Sequence, residues 1–576
     1  MEGPGVHELA PRRRPVADPR RPRRHRPGLR RPARGRRRRH DARLHRRRCR
    51  RHQRGRHDGQ HHPSLERLTD RSDGRGPRRA AGPGRPLVQT PTLDPAALAV
   101  QDADELTLRV CEEPLRRVRR SWRDAAAAHV AHGARAIHDR ATPDALTITA
   151  AAELQGRLRP LALAALAGRD DPVRGLRLAA PSLDAHLARR LGILRAAGDE
   201  LLDRLARDEA LLPVLTGGTP LGPVVAVDGA GDPHAAGRRT SVLRDDAGTG
   251  VVLKPRSLGP DLAIDLVLAS VEPVAPGGAG PRLPPTIDRG THAWQRLVAA
   301  GPCPDGDAEV RLLERAGVLL AVLHATRSGD VHADNVVLTA DHVVPIDLEC
   351  ALQPTVGGPD ADRRRGVERT GLLPHLDPVH GRDLSPLGPW LADRDAAPER
   401  VRDVLEPALL RGFDAAWEHL VAARTVVDGP AAEALAAAPV RVVARPTMAY
   451  DLLLAEIVTS GALGADDAPA VRARLRPSGD RPDLAPLARH EADDLVAGDV
   501  PLFTGRAGST DLRHGTALLS GVLRAGAVPS PAEAARSADR PRPDELRLVP
   551  RTSPSPDRRA ATMVRPPTPT PERRTS

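Results

Sequence analysis

The stretch GDVHADNVVLTADHVVPIDLE, residues 329–349, decides the fold, because two short apolar runs there are framed by acids and one amide. Asp330 and Asn335 stand five apart in a loop of small residues, NVVL and HVVP read as two strands around a turn, and Asp347 and Glu349 follow the second strand. Asn335 is the only asparagine of the 576 residues. Lys254, in VVLKPRSL (251–258), is likewise the only lysine among 88 Lys and Arg, and Tyr450, in RVVARPTMAY, is the only tyrosine. Codons for all three begin with two A/T bases, so a GC-rich gene sheds them wherever Arg, Asp or Leu will serve. The three survivors mark candidate positions where no other side chain would do.

An Asp, an Asn four intervening residues on, and a second Asp beyond a short hairpin is the order used by the catalytic loop of protein kinases. In that scheme Asp330 orients an acceptor hydroxyl and takes its proton. The carbonyl oxygen of Asn335 and the carboxylate of Asp347 supply the hard oxygen ligands that Mg²⁺ requires, against the phosphates of ATP. Lys254 closes a predicted strand before a helical segment, as a phosphate-binding lysine does, and its ammonium is a compact point charge that an arginine fork does not reproduce. Upstream, GDPHAAGRR (231–239) puts Asp232 and His234 in a loop placed to cover phosphates, although it is not a GxGxxG motif. His332 is expected to brace the catalytic loop. The fold class expected is α+β, a kinase-like two-lobed catalytic domain with added helical segments and disordered termini.

The rest of the chain divides by texture. Residues 1–86 hold 29 Arg against 8 Asp and Glu, more than the whole net charge of +14, so the basicity belongs to a tail. That tail lacks apolar periodicity and interleaved aromatics, and is expected to be disordered or mistranslated rather than a specific nucleic-acid arm. Residues 87–216 read as a helical N-terminal part, with Leu and Ile at three-and-four spacing in LDAHLARRLGILRAAGDELLDRL (183–205). Residues 217–525 form the catalytic domain, with strands at VVAV, TSVLR and VVLK, helices at 261–271 and 308–327, and a mainly helical pattern from 391. Residues 526–576 are Pro/Arg/Ser-rich and expected to be disordered. Four dispersed cysteines without a CxxC argue against a zinc site or disulfide framework. No run is apolar enough to span a membrane, and no signal peptide is present, so the expected location is cytoplasmic.

The set GDPHAAGR, VVLKPRSL, GDVHADNVVL, VPIDLE, RVVARPTMAY and HEADDLVAGDVPLFT, over about residues 185–515, resembles the dehydratase domain of class II lanthipeptide synthetases, the LanM family. The resemblance implies a lanthipeptide (lantibiotic) precursor dehydratase, which phosphorylates Ser and Thr of a leader-bearing precursor peptide with ATP and Mg²⁺. It then eliminates phosphate to give dehydroalanine or dehydrobutyrine. By matching motif, Lys254, Asp330, His332, Asn335, Asp347 and Glu349 would carry phosphorylation, Asp232 and His234 would lie near the nucleotide, and Arg441 and Thr447 would serve elimination. Without the family, RVVARPT reads only as a basic helix start, and Tyr450 as packing. Full-length members continue into a zinc-dependent cyclase domain with no counterpart here, so dehydration without ring closure is expected, with a separate cyclase as a partner. Two alternatives stand: a small-molecule phosphotransferase resembling aminoglycoside or choline kinases, which share GDxHxxN and IDxE, and an inactive truncated relative that only binds peptide.

Overall fold

The computed structural model describes residues 95–548 except 168–170, 354–365, 378–380, 395–396, 462–463 and 476–484. The Arg-rich segment 1–86 and the residues after 548 lie outside the described residues, as do the expectations made for them. The described chain is α+β, with a small antiparallel sheet set between two helical regions.

The N-terminal region is built from α1 (Pro95–Ala131), α2 (Ala141–Leu166) and α3 (Leu183–Asp208). On α2, Leu146, Ala150, Leu154, Leu158, Leu161 and Ala165 recur at three-and-four spacing and are buried, so one stripe faces α1. Trp122 of α1 is 1% exposed, and its indole N–H donates to the Arg195 carbonyl of α3 at 3.0 Å, which satisfies its one polar atom.

Five strands follow: β1 (Val224–His234), β2 (Arg238–Asp245), β3 (Gly250–Lys254), β4 (Thr286–Asp288) and β5 (Ala293–Arg296). They pair in the order β1-β2-β3-β5-β4, every pair antiparallel. The side chain of Asp245 accepts the Thr249 N–H at 2.8 Å, which shapes the β2–β3 turn. Strand alternation sends Val251 and Leu253 into one core, and therefore turns Lys254 to the opposite face. Helix α4 (Gly259–Val271) comes directly after β3. Val227, Leu243, Val251, Leu253 and Trp294 of the sheet share one apolar core with α1, α2 and α3. The boundary expected at 216/217 therefore falls inside a single core.

A second core surrounds α5 (Gly306–Ala325), whose residues from Leu312 to Ala325 are mostly buried, and α6 (Glu406–Ala423). Asp305 caps α5 by accepting the Ala308 N–H at 2.8 Å. Where α5 and α6 cross, a Cβ on Gly412 would stand 1.8 Å from the Glu314 carbonyl oxygen, and one on Gly317 would stand 2.0 Å from that of Leu409. The helices therefore meet backbone to backbone, and only glycine fits at either position. This contact seats α5, whose C-terminus feeds the loop carrying Asp330.

The region from 391 is mainly helical, as expected, and also contributes β8 (Val440–Val442), β9 (Phe503–Gly505), β10 (Leu512–His514) and β11 (Ala517–Leu519), an antiparallel four-stranded sheet. The short hairpin β6 (Val336–Leu338) and β7 (Val343–Pro345) lies where it was expected. One expectation is corrected: the fold does not stop at 525. Helix α8 (Pro531–Ser537) opens with a capping box between Ser530 and Glu533, and Val528, Ala534, Leu546 and Leu548 are buried in the second core. Proline there sits at the start of a helix, where its missing N–H costs nothing, so a Pro/Ser-rich composition is compatible with order as far as 548.

Candidate active site

The catalytic-loop candidate emerges from the end of α5 and is stitched to the segment after β7. Gly329 N–H donates to the Cys350 carbonyl at 2.9 Å, Leu352 N–H to that of Thr326 at 3.0 Å, and Val331 N–H to that of Thr370 at 2.9 Å. Between these ties Asp330 adopts φ = +63°, a left-handed conformation that Asp tolerates better than most residues and that surrounding bonds must hold. Its side chain remains 42% exposed, so the carboxylate faces open space. Desolvation by the surrounding protein raises its pKa, and the Glu349 and Asp347 charges add to this, against the pull of His332 and Arg441.

The lone asparagine now has a structural reason. Asn335 Nδ2 donates to the Asp330 carbonyl at 2.6 Å, closing the loop with a bond that an aspartate has no proton to make. That commitment turns its Oδ1 away from the Asp330 carbonyl. His332 Nδ1 accepts the Asp334 N–H at 3.3 Å, and its Nε2 lies 3.3 Å from Asn335 Nδ2 and 4.0 Å from Asp330 Oδ1. The Asp334 contact ties the ring to its own loop.

Asp347 and Glu349, two apart and on one side of an extended segment, enter a dense ion cluster. Lys254 Nζ donates to Asp347 Oδ2 at 3.0 Å, and Arg256 Nη2 donates to Oδ1 at 2.5 Å. Arg256 also reaches Asp261 at 2.8 Å and, through Nε, Glu349 at 2.7 Å. Asp261, at the start of α4, accepts the Leu348 N–H at 2.8 Å and so fixes the backbone between the two acids. Arg441 arrives from β8: its Nη1 donates to Glu349 Oε1 at 2.7 Å, and its N–H to the Glu349 carbonyl at 2.9 Å. Burial alone would raise the pKa of Asp347, but Arg256 and then Lys254 outweigh it and hold the carboxyl well below the usual range. Arg441 is held the more firmly protonated, its desolvation being exceeded by the attraction of Glu349.

Arg256 is the residue that sequence reasoning passed over, although it lies within the quoted KPRSL. Its spacing of two from Lys254 was the available signal, since alternate positions in an extended segment share a face. Arg441 stands on a strand, not at a helix start, and its pairing with residues 503–505 is what turns it toward Glu349. Thr447 opens α7 (Thr447–Thr459) and is half-buried, without a hydrogen bond to the other candidate residues. His234 and Asp232 end β1. The imidazole pKa is lowered by burial and then by the Arg441 charge, while Glu349 and Asp232 pull the other way, which places it in the same electrostatic neighbourhood. Tyr450 is buried, and its hydroxyl donates to Glu491 at 2.7 Å beside Arg445, so it is a structural donor that phenylalanine could not replace.

Seven of the ten candidates thus converge: Lys254, Asp347, Glu349 and Arg441 by direct ion pairs, and Asp330, His332 and Asn335 on the adjoining loop. Among the described residues no cluster of three His, Cys, Asp or Glu is arranged to hold a metal by protein ligands alone. Asp347, whose pKa is lowered, and Asn335 are the oxygen donors that could hold Mg²⁺ jointly with phosphates once Lys254 and Arg256, which here occupy both Asp347 oxygens, turn toward those phosphates. Among the described residues no helix is long and apolar enough to cross a membrane, and Cys111, Cys303 and Cys350 are free thiols.

Fold and site define an α+β protein with a lysine–aspartate pair beside an Asp/Asn loop. The chain belongs to the family described as a domain of unknown function, DUF4135, which it matches over residues 181–390 and 405–506, more than half its length. No curated protein matches it.

Proposed function

We propose that this protein is a peptide dehydratase of the class II lanthipeptide synthetase (LanM) kind, using ATP and Mg²⁺ on Ser and Thr of a ribosomally made precursor. The observation that carries this is Arg441: a strand almost a hundred residues beyond Glu349 delivers a guanidinium to Glu349, the carboxylate that also takes Arg256, beside the Lys254–Asp347 pair. Transfer of a phosphoryl group to a small hydroxylated molecule needs the Lys254, Asp330, Asn335 and Asp347 set alone. A further cation within reach of the new phosphoester suits a second reaction.

In the first step Asp330 accepts the proton of the substrate hydroxyl as its oxygen forms the bond to the γ-phosphorus and the bond to ADP breaks. Lys254 holds the nucleotide phosphates by charge, and Asp347 and Asn335 would hold Mg²⁺. An ion held there would supply charge neutralisation for the transferring phosphoryl group. In the second step a base removes the α-proton, the Cα=Cβ bond forms, and the Cβ–O bond breaks to release phosphate. Arg441 stabilises the departing dianion through charge-assisted hydrogen bonds. Thr447 belongs to this step by motif; His234, which the motif puts near the nucleotide, shares the electrostatic neighbourhood of Arg441, and burial favours its neutral form, which suits a base for the α-proton.

The test is mass spectrometry of a precursor peptide, encoded beside this gene, after incubation with the protein, ATP and Mg²⁺. Loss of one water per modified Ser or Thr is the expected result. An unchanged peptide, with ATP bound by folded protein, refutes the proposal, whereas phosphate gain without water loss would confine the protein to the kinase half.

A further inference from the structure

The turn that carries His234 is held in a costly conformation. Ala235, Ala236 and Gly237 have φ of 45°, 71° and 76°, three left-handed residues in succession, two of them with a Cβ. A non-glycine residue is strained there, and such geometry persists only when neighbours over-determine it. The neighbours are on the segment Gly498–Val500, more than 260 residues away, which the proposed mechanism does not use. Gly237 N–H donates to Asp499 Oδ2 at 2.8 Å. Val500 N–H donates to the Pro233 carbonyl at 2.8 Å, and the Val500 carbonyl lies 2.7 Å from His234 Nδ1.

Asp499 is itself rigidly placed. It is 1% exposed, and its Oδ1 accepts from Arg190 Nη1 at 2.5 Å. Arg190, on α3, is fully buried and also donates through Nε to Glu153 Oε1 at 2.7 Å, while Arg239 of β2 donates to Glu153 Oε2 at 2.6 Å. The carboxylate is therefore fixed on one oxygen by the helical region and offers the other to the turn.

A carbonyl oxygen can only accept. The imidazole must therefore carry its proton on Nδ1, which leaves Nε2 as the bare lone pair. We propose that Asp499, with the adjoining Val500 carbonyl, is a positioning residue that locks the β1–β2 turn and sets His234 in the Nδ1–H tautomer, so that Nε2 is presented unprotonated. Asp499 contacts no reacting atom; it acts through His234. The catalytic consequence rests on the dehydratase reading, and the tautomer does not.

The experiment is histidine ¹⁵N NMR on the full chain, with the His234 signals identified by their loss in His234→Gln. In the wild type the Nδ1–H tautomer is expected; an Nε2–H tautomer overturns the proposal whether or not any peptide is modified. In Asp499→Asn the tautomer is expected to become mixed, because the amide cannot serve both Arg190 and Gly237 as the carboxylate does. Phosphopeptide should then accumulate while phosphorylation persists, elimination slowing by about a hundredfold, the scale of a misplacement near 1 Å. Unchanged tautomer and unchanged partition between phosphorylated and dehydrated product in this variant also overturn it. Should Asp499→Asn fail to fold, Asp499→Glu keeps a charge for Arg190 but overshoots the Gly237 N–H, and the same two readouts apply. A folded protein with the expected tautomers that leaves the peptide untouched refutes the dehydratase reading alone.

Discussion

Replacing Lys254 by arginine, the cation this chain uses everywhere else, tests the reasoning that began with its rarity. The lysine is 4% exposed, and its ammonium meets Asp347 Oδ2 at 3.0 Å. The other oxygen of that carboxylate is taken by Arg256, whose remaining donors are spent on Asp261, Glu349 and the Ser257 carbonyl. A guanidinium would bring five N–H donors where the ammonium brings three, with one carboxylate oxygen left to receive them. Each buried donor without an acceptor costs about 1–3 kcal/mol, and the added bulk costs about 1–3 kcal/mol more. Lys254→Arg should therefore lose about 3 kcal/mol or more of stability in equilibrium urea unfolding. It should also fail to phosphorylate peptide, with nucleotide affinity reduced in calorimetric titration, because Arg256 or the new side chain must leave Asp347. Wild-type stability together with wild-type turnover in this variant would refute the argument, and with it the idea that a lone residue in a biased composition marks a constrained position.

The remaining predictions concern separate parts of the molecule. Arg441→Ala should leave phosphorylation running and let phosphopeptide accumulate, read by mass; equal loss of both steps would assign Arg441 to folding or binding. Gly412→Ala puts a methyl group 1.8 Å from the Glu314 carbonyl oxygen and should cost about 3 kcal/mol by forcing α5 and α6 apart, seen as a lower melting temperature by calorimetry. The depressed pKa of Asp347 means that its ion pairs contribute stability above the unfolded carboxyl value of about 3.9, which is lost as pH falls through the lower folded value. Asp347→Asn should therefore flatten the acid limb of stability against pH in urea unfolding, and an unchanged limb would remove the pair from the account.

What the sequence disclosed was local. The Asp330–Asn335–Asp347 spacing and the strand ending at Lys254 are short-range patterns, and each appeared where the residues placed it. The α+β class followed from the change in periodicity after residue 216. What stayed hidden was pairing at a distance. Arg441 looked like a helix start because its strand is three residues long and finds its partner only at 503–505. Arg256 had only its spacing of two from Lys254 to mark it among the arginines until Asp261, Asp347 and Glu349 gathered around it. The ordered stretch 526–548 was obscured by its proline and serine content, which signals disorder in bulk but also opens helices. Tyr450 was flagged by rarity, yet only the buried Glu491 explains why its hydroxyl is needed.

The single lysine has a further consequence for chemical labelling. Guanidinium groups do not lose their proton under ordinary conditions, so the chain offers acylating reagents one side-chain amine apart from its α-amino group. That amine is 4% exposed and engaged with Asp347. A bulky amine reagent in solution should largely spare it, whereas the proposed ATP site would deliver to it an acyl phosphate carried on a nucleotide. Labelling of this protein at lysine is thus a report on one atom, and its protection by added nucleotide would measure occupancy of the site without any substrate peptide.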